Sequence, residues 1–174
     1  MNLHIVAYPE LSPVDYEMIQ SLRREYNSLY NIIGPHFTFV FSTPGVSEVG
    51  FIEDVKKTTA GFRAINFCIR SATINKDVFS NNYDAFLVPD EGHSQMLKLH
   101  DALYSQTLAP QHRMDIPYVP HISVANSHDP YAIKKIVGNL NSQNLTITGS
   151  ITSLDIINYE NRVVTTVGKI YLPA

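Results

Sequence analysis

One order of local signals occurs twice along this chain, and that repetition constrains the fold more than any other feature. Leu3 to Tyr8 reads as a strand, closed by Pro9. Ser12-Pro13 then opens a helix, with Ser12 as the N-cap and proline at the first helical position. Val14, Met18, Leu22, Tyr26 and Leu29 follow at spacings of four and three and predict one apolar face. Gly34-Pro35 breaks the helix, and His36 to Phe41 reads as an aromatic-rich strand. A second helix is expected over 47–59, with Glu48, Ile52, Val55 and Thr59 in register, and a long strand from Phe62 to Ile74.

The pattern then restarts. Asp84 to Val88 is a strand closed by Pro89, followed by a helix over 93–108 that carries Met96, Leu99 or His100, Leu103 and Thr107 on one face. Pro120 leads into a short strand, His121 to Ala125. Asp129-Pro130 starts a helix whose stripe is Ile133, Ile136, Val137 and Leu140. Leu145 to Tyr159 and Val163 to Leu172 read as closing strands, with a turn at 160–162. Pro9 matches Pro89 and His36 matches His121, so the halves, roughly 1–75 and 83–174, are two β-α-β-α-β units. The expected architecture is a single α+β domain of two lobes. Its sheets are mainly antiparallel, and the lobes face each other across a cleft.

At the same point of each unit stands the string Pro-His-apolar-hydroxyl-apolar: Pro35-His36-Phe37-Thr38-Phe39 and Pro120-His121-Ile122-Ser123-Val124. Side chains alternate across a strand, so His36 and Thr38 share one face and Phe37 and Phe39 the other. His121 and Ser123 pair in the same way. Two imidazoles suit proton transfer at a phosphodiester. A neutral ring takes a proton from water or a hydroxyl, and an imidazolium gives one to the leaving oxygen. The hydroxyls of Thr38 and Ser123 can donate to phosphate oxygens, where charge grows in the transition state. The arrangement calls for no metal and no cofactor.

The two H-x-[T/S]-x strings, one per half, resemble the 2H phosphoesterase superfamily, in particular its 2′-5′ RNA ligase-like and cyclic phosphodiesterase members. The likeness extends over nearly the whole chain, including DAFLVPDEGHSQMLKLHDALY and the tyrosine of Pro117-Tyr118-Val119-Pro120-His121. It implies a bilobal fold with pseudo-twofold symmetry and both strings in one cleft. It also implies metal-independent hydrolysis of 2′,3′-cyclic phosphates or 2′-5′ linkages of nucleotides or RNA, with reversible 2′-5′ ligation as a further activity. By position His36 and His121 take the catalytic places, and Thr38 and Ser123 the phosphate-binding ones. Tyr118, and less strongly Tyr8, are candidates for stacking on a base.

Composition narrows the partners. Lys and Arg total 13 against 16 Asp and Glu, a net charge of −3, which speaks against long duplex nucleic acid. No Lys or Arg lies in the ten residues before His36, and only Arg113 lies close before His121. A small nucleotide or an RNA end is the expected substrate. A single cysteine, Cys68, rules out an internal disulfide framework and reads as a buried hydrophobe. The start, MNLHIVAYPELSP, has no signal-peptide pattern and no apolar run is long enough for a membrane span. A cytoplasmic protein is expected. His4, His93, His100, His112 and His128 read as ordinary surface or core residues, and Phe37, Phe39 and Phe41 as core. No G-x-x-x-x-G-K-[S/T], G-x-G-x-x-G or H-E-x-x-H string occurs. The rival reading is a module that binds a nucleotide or RNA end in the same cleft without turning it over.

Overall fold

A computed structural model describes residues 2–174. In chain order it contains β1 (Asn2–Ala7), β2 (Glu10–Leu11), α1 (Pro13–Tyr26), β3 (Phe37–Pro44), α2 (Glu48–Thr59), β4 (Ile65–Lys76) and β5 (Tyr83–Glu91). Then come α3 (His93–Leu103), a 3-10 turn at Ala109–Gln111, β6 (Ile122–Ser127), α4 (Pro130–Asn141), β7 (Ile147–Ile151), β8 (Ser153–Glu160) and β9 (Val163–Tyr171). The strands form two sheets, β3-β1-β8-β9 and β2-β7-β4-β5-β6, and every pairing is antiparallel. This is the α+β, two-sheet architecture the repeated order implies.

The sheets do not coincide with the sequence halves. The run β3-β1-β8 in one sheet matches β6-β5-β4 in the other. The first half therefore sends β4 and the short β2 into the sheet of β5, β6 and β7, and the second half sends β8 and β9 into the sheet of β1 and β3. The exchange leaves β3 and β6, the two Pro-His strands, at the edges of their sheets. A helix from the opposite half lies along each of them: α3 along β3, and α1 along β6. An edge strand has unpaired backbone groups, and the two helices bring side chains that meet them.

Most element boundaries follow from local chemistry. Ser12 caps α1, its hydroxyl accepting the Asp15 N–H at 3.1 Å, and Asp129 caps α4 by accepting the Tyr131 N–H at 2.9 Å. At the start of α3, Gly92 has φ +82°, and a Cβ there would lie 2.5 Å from the Asn66 carbonyl oxygen, so only glycine fits. The α4 stripe of Ile133, Val137 and Leu140 is buried, as are Phe51, Val55 and Thr59 of α2.

Four expectations are corrected. The apolar face of α1 is rotated from the one the spacing suggests. Val14 is 78% exposed and Tyr26 is exposed, Ile19 and Arg23 are buried, and Leu29 lies beyond the helix end. Pro89 does not close β5. It sits opposite Ile69 between two register shifts, where a missing N–H is tolerated. The helix expected to reach residue 108 ends at Leu103. The run 145–159 is two strands. The chain leaves one sheet at Ile151 and enters the other at Ser153, with Thr152 at the crossing, where its carbonyl accepts the Leu172 N–H at 2.8 Å.

Candidate active site

Alternation along β3 and β6 places the side chains as the period of a strand requires. Phe37, Phe39, Ile122 and Val124 are buried, while Thr38 and Ser123, with His121 just before its strand, are only partly so. Each histidine is held in the same way. His36 Nδ1 lies 2.8 Å from the Gly34 carbonyl and His121 Nδ1 lies 2.6 Å from the Val119 carbonyl. A carbonyl only accepts, so Nδ1 carries the proton in both rings. Each Nε2 is left without a hydrogen-bond partner among the described residues. In the neutral form it presents a lone pair, and in the charged form a donor.

The surroundings of the two rings differ. His121 is stacked on Phe86 at 3.5 Å between centroids with 12° between planes. Phe86 is the cross-strand neighbour of Ser123, so it supports both members of the second string. His36 meets Tyr8 edge-on at 6.3 Å. Loss of hydration dominates the titration of both rings and lowers each to about 4. The bond to the Gly34 or Val119 carbonyl opposes that shift. For His36 the charges of Arg23, His121 and His4 lower it further, in that order. Two rings that repel each other's charge do not readily both ionise.

The tyrosines take different parts. Tyr118 is stacked on His100 at 3.6 Å, and its hydroxyl donates to the Thr38 carbonyl at 3.0 Å. One face and the polar tip are thus committed, so Tyr118 is placed as a brace between lobes, not as an open platform for a base. Burial pushes its hydroxyl pKa strongly upward, so it stays a donor. His100 Nδ1 donates to the Phe39 carbonyl at 2.8 Å, and the Phe41 N–H donates to Tyr104 Oη at 3.0 Å. Side chains of the second half thus meet three backbone groups of edge strand β3. Tyr8 lies beside His36. Burial first, then the Asp155 carboxylate, push its hydroxyl up to about 12.

A cavity of about 220 Å³ opens beside His36 and Thr38. Its walls include Val6, Leu29, Ile32, Ile33, Ile157 and Val164, with His4 and Tyr159 also lining it. None of its lining comes from β6. Two residues that the sequence assigns to ordinary places lie here: His4, and Phe41, which lines the cavity instead of joining the core. The signal for His4 is present in the sequence, since it is two residues from Val6 on β1 and shares its face.

Three residues that carry the site are not singled out by sequence. Arg23 is 2% exposed, donating to Gln20 at 2.7 Å and to the Ile33 carbonyl at 2.5 Å. It thereby fixes the segment that supplies Leu29, Ile32 and Ile33 to the cavity wall. Asn27, just after α1, bonds to Ser123. Phe86 is the stacking partner of His121. Among the described residues no group of three His, Cys, Asp or Glu side chains is arranged to hold a metal ion, and no helix is long and apolar enough to cross a membrane.

This is an α+β protein of two antiparallel sheets, each with one Pro-His strand at its edge. The chain belongs to the 2′-5′ RNA ligase superfamily, whose model matches residues 9–162. No curated protein sequence matches it. Solved structures share its fold over nearly their whole length. TT0787 of Thermus thermophilus superposes with a TM-score of 0.64 at 14% identity, covering 99% of this chain and 98% of that one. E. coli LigT complexed with 3′-AMP gives 0.59 at 14% identity with the same coverage. Kluyveromyces marxianus Usb1 gives 0.57 at 9% identity, covering 99% and 98%.

Proposed function

We propose that this protein is a metal-independent phosphoesterase acting on 2′,3′-cyclic phosphates or 2′-5′ phosphodiesters of a nucleotide or RNA end, with both halves working as one unit in the cytoplasm. The observation that carries this is the equivalent tethering of His36 and His121. Each is fixed at Nδ1 by a main-chain carbonyl, which leaves Nε2 for the reaction. In the reaction a water oxygen attacks phosphorus and gives its proton to the Nε2 of one neutral ring. The bond from phosphorus to the 2′ or 3′ oxygen breaks. The other ring, protonated, supplies the proton that oxygen needs, and a cyclic phosphate plus water becomes a phosphomonoester. Attack by a ribose 2′-hydroxyl in place of water would join two ends by the same proton movements. Thr38 and Ser123 donate to the non-bridging oxygens as their charge grows.

With both rings lowered to about 4 by burial, one of them must gain a proton when the substrate arrives. A phosphate anion beside the rings favours the charged form, so binding and protonation are coupled. The cavity beside His36 is smaller than the ~300–1,000 Å³ of drug-sized ligand pockets. At about 220 Å³ and mostly aliphatic, it suits one uncharged ring, not a run of nucleotides. The 3′-AMP complex of LigT makes a small nucleotide the ligand class carried over to this chain.

The test is incubation with the four nucleoside 2′,3′-cyclic phosphates and with 2′-5′-linked dinucleotides, followed by chromatography that separates 2′- from 3′-phosphates. Titration with 3′-AMP runs in parallel. Turnover of either substrate class supports the proposal. Binding of 3′-AMP with no turnover of any substrate overturns it in favour of a binding module.

A further inference from the structure

We infer that Asn27 is a positioning residue that sets the direction of the Ser123 hydroxyl, so that its proton points to the substrate phosphate. The inference deepens the phosphoesterase reading and rests on it. Asn27 is 8% exposed and follows the last turn of α1, 96 residues away in sequence from the strand it serves.

The polarity of this contact follows from hydrogen-bond accounting. The Leu29 N–H, which can only donate, lies 2.9 Å from Asn27 Oδ1. That fixes the oxygen end of the amide. The Asn126 side chain donates to the same oxygen at 3.4 Å, and Asn126 Oδ1 accepts the Ser28 N–H at 3.4 Å. Asn27 Nδ2 must then face β6. It lies 3.2 Å from the Ser123 carbonyl and 3.3 Å from Ser123 Oγ. An amide nitrogen has no lone pair to offer, so Ser123 Oγ accepts there. The single hydroxyl proton of Ser123 is left for another acceptor. A phosphate oxygen held between the two histidines is such an acceptor.

The first string has no such support, for among the described residues no side chain bonds to Thr38 Oγ1. It needs less. Threonine is β-branched and stiff at χ1, whereas serine turns freely between rotamers. The methyl of Thr38 restricts its hydroxyl from within, and Asn27 restricts that of Ser123 from outside. The same helix end also carries Arg23, which anchors the cavity wall beside His36, so the C-terminal turn of α1 supports both sides of the cleft.

The experiment compares Asn27→Ala, Ser123→Ala, the double variant Asn27→Ala/Ser123→Ala and Asn27→Ala/Ser123→Thr. Activity is measured on the nucleoside 2′,3′-cyclic phosphate that the parent turns over fastest. Asn27→Ala lowers kcat/KM about ten- to a hundredfold, mainly through kcat, as expected for a misdirected transition-state donor. With Ser123→Ala already present, adding Asn27→Ala changes kcat/KM by no more than about twofold. Threonine at 123 restores most of what Asn27→Ala loses. A structural role alone predicts a full additional loss on top of Ser123→Ala and no rescue by threonine, and either result overturns the inference. An active parent with an Asn27→Ala variant of equal activity does the same while leaving the phosphoesterase reading intact. A parent with no turnover removes both.

Discussion

Acidification should weaken this fold through the two cleft histidines, and the size of the effect follows from their surroundings. Desolvation lowers His36 and His121 from the ordinary 6.5 to about 4. In the unfolded chain both take up protons near pH 6.5, while in the folded chain they stay neutral until about pH 4. The unfolded state therefore binds more protons between these values, and stability falls as pH drops through that window. At about 1.4 kcal/mol per unit the full shift corresponds to about 3 kcal/mol per ring. Both residues are only partly buried, so about half of that, ~3 kcal/mol for the pair, is the expected loss. Asp84 acts in the opposite sense. Desolvation raises its carboxyl to about 6, which favours the folded state at low pH. The informative quantity is therefore a difference between proteins. Urea unfolding of the parent and of a His36→Asn/His121→Asn variant at pH 7.5, 6.5, 5.5 and 4.5 isolates it. The parent should lose ~3 kcal/mol more than the variant between the two ends of that range. Parallel pH profiles for the two proteins would mean that folding does not hold these two rings neutral.

Other outcomes follow from the same geometry. Binding of 3′-AMP at pH 7.5 should be accompanied by net proton uptake, seen by calorimetry in buffers of different ionisation enthalpy, because the phosphate raises a ring that starts near 4. Equal heats in all buffers would contradict this. Tyr118→Phe deletes the donor to the Thr38 carbonyl and should cost about 1 kcal/mol in urea unfolding. Its KM should be unchanged, since the ring is a brace; a raised KM would instead indicate contact with substrate. Ile157→Trp fills the cavity beside His36 and should raise KM for cyclic nucleotides at least tenfold while leaving the melting temperature within a few degrees. An unchanged KM would place the substrate ring elsewhere.

The β-strand alternation and the repeated Pro-His strings are legible in the sequence because both depend on neighbours a few residues apart. Phe37 and Phe39 turn inward and His36 and Thr38 outward for a reason present in five consecutive residues. The face of α1 is not legible, because the residue that fills its buried position is Arg23, whose guanidinium donates to the Gln20 side chain and to the Leu29 and Ile33 carbonyls, partners that spacing cannot reveal. The crossing at Thr152 carries neither glycine nor proline, so the apolar run 145–159 looks like one strand while serving two sheets. Asn27 and Ser123 meet only because β4 and β8 exchange sheets and bring α1 against β6. The stacking of Phe86 on His121 likewise depends on cross-strand register, which a single strand does not display.

If His36 and His121 act together as the acid-base pair of a phosphoesterase, both rings leave their mark on the pH dependence of turnover. The most direct measurement is the pH dependence of kcat/KM for nucleoside 2′,3′-cyclic phosphate hydrolysis in the presence of EDTA, for the parent, His36→Ala and His121→Ala. The expected outcome is a bell-shaped profile for the parent, unaffected by the chelator, and loss of at least about a hundredfold in each variant. A flat profile between about pH 5 and 9, or activity that EDTA abolishes and a divalent ion restores, would contradict it.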